Sequence, residues 1–271
     1  MASEAALENF DFRAVPLQRM AQGSRWRTEA MRSHSRPLLY WFTRGQGRIT
    51  VNGLTRGYGP HNAIFLPPST MHGFDMMGQV FGTALFFPRN SEFDLPEEPL
   101  HLRFREAQLQ GEMTLQIDNI LRELDGEADD ASALALRHHA GLLGVWLRRQ
   151  SRQFPGDGEI SDGRAADRLS AAFVSLLERD FRSGKGVADY AADLGVTPTH
   201  LSRSCKATCG RPASAIVQDR LHYEARMMLR ETRIPIKDVA TQLGFRSAAY
   251  FTRAFQHNTG HTPSAFRRGN A

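Results

Sequence analysis

Ile236-Lys-Asp-Val-Ala240-Thr-Gln-Leu243-Gly244-Phe245, followed by Phe251-Thr-Arg253-Ala-Phe255-Gln256 and ending at Gly260, reads as a helix, a tight glycine turn and a second helix. The same pattern stands earlier in the chain. Val187-Ala-Asp-Tyr-Ala-Ala-Asp-Leu194-Gly195-Val196 precedes Leu201-Ser-Arg203-Ser-Cys205-Lys206 and Gly210. The offset is 49 up to the turn and 50 beyond it, so the second copy gains one residue just after its turn. Each copy has the form of a helix-turn-helix: an apolar stripe packs the first helix, a glycine takes a left-handed backbone, and the second helix crosses the first.

In the second helix of the first copy, Leu201, Cys205 and Thr208 share one face, which leaves Thr199, His200, Ser202, Arg203 and Lys206 facing out. Such residues suit a helix in a DNA major groove, where an arginine can make two hydrogen bonds to guanine. An ordinary helical bundle would show the same stripes. Charge favours DNA. Residues 164–271 hold 17 Lys+Arg against 9 Asp+Glu, whereas residues 1–163 hold 17 against 20, so a polyanion partner suits the second half alone.

At 271 residues and 41% hydrophobic, the chain has the size of about two domains. It shows no apolar run long enough to span a bilayer and no secretory pattern at Met1-Ala-Ser-Glu4, which predicts a cytoplasmic protein without a membrane partner. The two cysteines, Cys205 and Cys209, fall one helical turn apart, an arrangement that suits core packing better than a disulfide or a metal site.

Between Arg25 and Pro88, short apolar runs are divided by turn residues. Leu38–Phe42 precedes Gly45-Gln-Gly47, Ile49–Val51 precedes Asn52-Gly53, Ala63–Leu66 precedes Pro67-Pro68, and Val80–Phe87 precedes Pro88. Asn52-Gly53 is a hairpin signal, because a type I′ turn needs positive φ at both central positions. Short strands at this spacing predict a small barrel or sandwich. His34 and His72 stand where the two metal-binding segments of a cupin barrel would stand. A cupin centre takes a second histidine two residues after the first and a nearby acid, and here Arg36 and no acid fill those places. The reading is therefore a barrel without a metal or other cofactor, whose cavity receives a small organic ligand or none, with His34, Arg36, Tyr40 and His72 as candidate lining residues. A structural role for each stands beside that reading.

Residues 105–153 show helical spacing, which suits either a cover for the barrel or a dimer seam. Phe154-Pro-Gly-Asp-Gly158 is the linker candidate.

Together these residues resemble the AraC/XylS family of bacterial transcription regulators. The resemblance covers nearly the whole chain. It is most specific in Ile236-x-x-Val-Ala240-x-x-Leu243-Gly244-Phe245-x-Ser247-x-x-Tyr250-Phe251-x-Arg253-x-Phe255 and in Gly260-x-Thr-Pro263-Ser-x-Phe266-Arg267. It implies an α+β multidomain fold: a cupin-like β-barrel with flanking helices for effector binding and dimerisation (1–153), a linker (154–163), and an all-α DNA-binding domain with two helix-turn-helix units (164–271) joined by a helix over about 212–229. By position, base contacts fall on Thr199, Ser202 and Arg203, with Lys206 nearer the backbone, and in the second unit on Ala248, Ala249, Tyr250 and Arg253. Ala248 and Ala249 offer only methyl groups, so the first unit is expected to specify sequence, while Arg246, Ser247 and Arg253 position the domain on phosphates. The resemblance further implies double-stranded DNA, a small-molecule effector, RNA polymerase and a second copy as partners. The expected function is a transcription regulator with no catalytic residues. Two alternatives stand beside it: a metal-dependent cupin enzyme fused to a DNA-binding module, and a ligand-independent dimeric DNA-binding protein.

Overall fold

The computed structural model describes residues 12–21, 26–89, 93–126, 129–153 and 165–269. Leu38–Val51 (β2) is the centre of an antiparallel sheet with Arg13–Pro16 (β1), Leu54–Tyr58 (β3), Asn62–Leu66 (β4), His72–Phe86 (β5) and Leu100–Arg103 (β6). Strand order is β1-β5-β2-β4-β6, and β3 pairs with the second half of β2. Among the described residues no pairing joins β1 to β6.

Alternation along β2 sorts its side chains onto two faces. Leu38, Tyr40 and Phe42 join Ile64, Phe74 and Val80 on the inner face, where the sheet curls round them. Leu39 and Trp41 face the other way, onto Met113, Ile117 and Ile120 of Ala107–Asp125 (α3) and Ala140, Leu143 and Leu147 of Asp130–Gln153 (α4). Burying each such side chain contributes about 1.5–3 kcal/mol relative to leaving it exposed.

Asn52 and Gly53 take φ of 47° and 79° between the paired Val51 and Leu54, the two-residue hairpin that the sequence predicts. The Gly45-Gln-Gly47 turn is corrected. β2 runs through it as one strand, with register shifts between Phe42 and Gln46. The glycines admit neighbouring backbone instead: a Cβ on Gly45 would lie 2.4 Å from the Gln79 carbonyl oxygen, and one on Gly47 would lie 2.1 Å from that of Asp75. β1 and β6, each four residues long, were not expected, and neither were the short helices Leu17–Ala21 (α1) and Trp26–Glu29 (α2).

From residue 165 the chain is helical: Ala165–Asp180 (α5), a 3₁₀ turn at Phe181–Ser183, Val187–Asp193 (α6), Pro198–Cys209 (α7), Ala213–Glu231 (α8), Ile236–Gln242 (α9), Ala248–Thr259 (α10) and Pro263–Gly269 (α11). One core unites them, from Phe173 and Leu177 through Leu201 and Ile216 to Phe251 and Phe255, and it also takes in Met31 and Met71 from the sheet region. Phe154–Gly158, the linker candidate, lies outside the described residues.

Candidate nucleic-acid interface

The two repeated units close in the same way. Leu194 and Leu243 end their first helices, and the next glycine, Gly195 or Gly244, takes φ of 67° or 74°. Two backbone bonds then wrap each end: Gly195 N–H to Ala192 and Val196 N–H to Ala191, matched by Gly244 to Thr241 and Phe245 to Ala240. This is the Schellman arrangement that satisfies the last helical carbonyls. Each second helix starts on a hydroxyl cap. Thr197 Oγ1 accepts from His200 N–H at 3.2 Å, and Ser247 Oγ accepts from Tyr250 N–H at 3.1 Å. Left-handed Gly210 and Gly260 end them.

On α7, Leu201 and Cys205 are fully buried, and Thr208 Oγ1 donates to Ser170 Oγ of α5 at 2.9 Å. Burial pushes the Cys205 thiol up to about 11, and both cysteines are free, as expected for core positions. Thr199, His200, Arg203 and Lys206 are exposed and Ser202 half-buried, so this face of α7 is open to a groove. On α10, Ala249, Tyr250 and Arg253 are exposed, whereas Ala248 packs partly against the helical core. Arg246 and Ser247 are exposed ahead of it, with the Ser247 oxygen engaged in the cap.

α8 joins the units and carries a buried arginine. Arg220, 4% exposed, donates to Glu178 of α5 at 2.7 and 3.1 Å and to Glu224 at 2.9 Å, with its guanidinium 3.8 Å from the Phe181 ring centroid. Arg182 also donates to Glu224, at 2.6 Å, so four charges fix α5 and the 3₁₀ turn on α8.

The N-terminal candidates meet at the seam with this helical part. Tyr40 and His72 are buried, and the Tyr40 hydroxyl lies 3.1 Å from His72 Nε2. Burial, and next the Arg32 guanidinium, hold the His72 imidazole neutral. Its Nδ1 can then donate to the Thr70 carbonyl at 3.0 Å, which leaves Nε2 to accept from Tyr40. His34 approaches His72 at 5.4 Å between rings, with its Nε2 buried and unpartnered among described groups. Burial, and then Arg32, lower its pKa to about 3. Arg36 is half-buried beside this group. Aromatic side chains fill the inner face of the sheet, and Tyr40 and His72 use their polar atoms on each other and on Arg32 and Thr70. Among the described residues, His, Cys, Asp and Glu form no cluster of three or more placed to hold a metal ion.

A family model described as a helix-turn-helix domain matches residues 190–269. The arabinose operon regulatory protein of Escherichia coli (strain K12) is 32% identical over 244 residues, covering 83% of this chain and 78% of that protein. The chain belongs to the AraC/XylS family. It is a DNA-binding transcription regulator. The HTH-type transcriptional activator RhaR of Cronobacter sakazakii is 22% identical over 99% of this chain and 98% of its own length. Among solved structures, an apo ToxT variant from Vibrio cholerae aligns over 97% of this chain and 98% of that chain, with 12% identity and a TM-score of 0.45.

Sequence reasoning missed Arg32 and Ser33. Arg32, 1% exposed, donates to the Thr28 carbonyl at 2.6 Å and to the Tyr40 hydroxyl at 3.2 Å, and its guanidinium lies 6.0 Å from the Tyr223 ring of α8. Ser33 donates to Glu178 at 2.5 Å and accepts from Arg220 at 3.4 Å. Both partners come from residues about 140 or more positions away, and periodicity carries no trace of them.

Proposed function

We propose that this AraC/XylS-family regulator reads sequence mainly through α7, with Arg203 as the principal base-reading side chain and Thr199 and Ser202 beside it. The observation that carries this is the exposed polar face of α7, set against α10, whose first residues are Ala248 and Ala249. His200 and Lys206 flank the α7 face, Tyr250 stands at a base-contacting place of α10, and Arg246, Ser247 and Arg253 hold the backbone. The working domain division is 1–153 for effector and dimer functions, 154–163 as linker and 164–271 for DNA. A small molecule controls the protein through its N-terminal part, which acts as a regulatory and not a catalytic unit, and the DNA-bound form engages RNA polymerase. No helix among the described residues is long and apolar enough to cross a membrane, and we place the protein in the cytoplasm with its DNA.

A homodimer forms through the outer face of α3 and α4. Leu115, Leu134 and Leu142 are 60%, 52% and 64% exposed there, and Val145 shares the stripe with Leu134 and Leu142 at helical spacing.

DNA titrations of full-length variants test the division of labour. Arg203→Ala should cost roughly 1–3 kcal/mol on a selected site and little on random duplex, while Arg253→Ala should weaken both about equally. Equal loss of specificity from the two would sink it.

A further inference from the structure

We propose that Arg226 and Trp26 are positioning residues for the second helix-turn-helix: they fix the direction of α10, and through it the placing of Tyr250 and Arg253 on DNA. Such a role is separate from the division of labour proposed above and holds whichever helix reads the bases.

The repeat ties both exposed helices at one place. Thr208 and Asn258 are equivalent at the offset of 50, and each stands in the last turn of its helix. Thr208 Oγ1 donates to Ser170 Oγ of α5 at 2.9 Å, and Asn258 Oδ1 accepts from Arg226 Nη2 of α8 at 3.2 Å. Each tether therefore joins an exposed helix to the helix that precedes its unit. Tyr250 lies eight residues before Asn258. That is about 12 Å along the helix, so a tilt of roughly 10° about the tether would carry Tyr250 about 2 Å.

The second tether carries a buried charge. Arg226 is 7% exposed, and among the described residues its guanidinium has Asn258 as a hydrogen-bond partner and no paired carboxylate. Burial lowers its pKa, and the charge of Asp219 offsets only part of that. The Trp26 ring supplies the remaining attraction, with its centroid 5.0 Å from the guanidinium carbon. A desolvated guanidinium over an indole face is held strongly and in one orientation. Trp26 opens α2, in the N-terminal part, and is itself gripped edge-on by Tyr223 of α8 at 5.8 Å and Phe266 of α11 at 6.4 Å between ring centroids. Phe266 meets Phe255 of α10 at 5.5 Å. Trp26 thus bears on α10 twice, through Arg226 to Asn258 and through Phe266 to Phe255.

The test uses full-length protein and one fixed duplex of random sequence, with affinity measured across a salt series. Asn258 is exposed, so Asn258→Ala breaks the tether without opening a cavity. It should weaken binding by about tenfold and reduce the salt slope by about 1–2, as for one or two lost phosphate contacts. Asn258→Asp keeps an acceptor for Arg226 and should bind more tightly than Asn258→Ala. The reverse order would mean that Asn258 itself touches phosphate, and overturns the proposal. Trp26→Leu, which keeps apolar bulk without an aromatic face, should act like Asn258→Ala, while Trp26→Phe should retain binding. A Trp26→Leu chain with unchanged affinity and slope overturns the part given to Trp26. Arg253→Ala should weaken binding about tenfold in the natural sequence and about threefold or less beside Asn258→Ala, because an untethered α10 no longer holds Arg253 in place. Additive losses would mean that the bond serves the fold alone, and an Arg253→Ala chain that binds normally would leave α10 nothing to place; either result overturns the proposal. Recognition through Arg203 is read on a selected site, so its failure leaves these outcomes unchanged.

Discussion

Gly195 and Gly244 hold the same place in the repeat, yet their surroundings separate them. Both have positive φ, which costs an L side chain about 1–2 kcal/mol. A Cβ on Gly195 meets nothing within 4 Å, whereas one on Gly244 would lie 2.4 Å from the backbone nitrogen of Gly184 and 2.5 Å from the Arg182 carbonyl oxygen. Gly195→Ala should therefore cost only the conformational term in a denaturant titration, and Gly244→Ala should add about 1–3 kcal/mol for overpacking. Equal costs would mean that the 3₁₀ turn does not press on the second unit. The glycine turns were legible in the sequence, because a left-handed helix end needs glycine wherever it occurs. That Gly244 also receives a neighbouring turn was not legible, since Gly184 belongs to no part of the repeat. Ser33 and Arg220 were hidden because long-range contact decides their roles, and Arg32 because an arginine that will be buried looks, in sequence, like one that will be solvated.

At the scale of elements, periodicity served the helices better than the strands. α6, α7, α9 and α10 each repeat an apolar stripe and end in glycine, so their bounds and exposed faces were readable. β2 looks like two strands in sequence because Gly45 and Gly47 resemble a turn, and β1 and β6 are too short to show alternation. The spacing in α3 and α4 predicts helices with two open roles, cover or seam. Their inner face does cover the sheet, and their outer face carries the dimer prediction. Leu142, 64% exposed, is the residue to test. Leu142→Arg should leave the fold intact, because the side chain is solvated in the monomer, and should convert the protein to a monomer in sedimentation. A dimer that survives the change places the seam elsewhere.

For the whole molecule, Met31 and Met71 of the sheet region pack into the helical core and Ser33 bonds Glu178 and Arg220, while the outward faces of α7 and α10 stay exposed. Control of DNA binding therefore has to act through how the units are held and not by covering the reading helices. Buried imidazoles set the response to acid. Burial is the first cause of lowered pKa at four histidines, His34 to about 3, His101 and His222 to about 4, and His72 well below 6.5. These groups bind protons in the unfolded chain before they do so in the fold, so stability is full above pH 6.5 and falls as pH drops below it towards their folded values. The carboxylates Asp180, which receives Arg179 and Lys185, and Glu224, where the Arg220 and Arg182 guanidinium groups outweigh burial, are also lowered, but their unfolded values of 3.8 and 4.5 confine their effect to more acid solution. Urea titrations from pH 7 to pH 5 should thus show a decline, and His101→Phe should reduce its slope. A flat profile over that window would contradict the buried-neutral assignment.

We propose that this DNA-binding regulator reads its site chiefly through α7. Selection of bound sequences from random duplex DNA by the full-length protein, with Arg203→Ala and Arg253→Ala in parallel, tests it most directly. The expected result is an enriched asymmetric motif extending over two helical turns of DNA, relaxed at one position by Arg203→Ala and retained, with weaker binding, by Arg253→Ala. An enriched motif that survives Arg203→Ala and is lost in Arg253→Ala would contradict it and move sequence reading to α10.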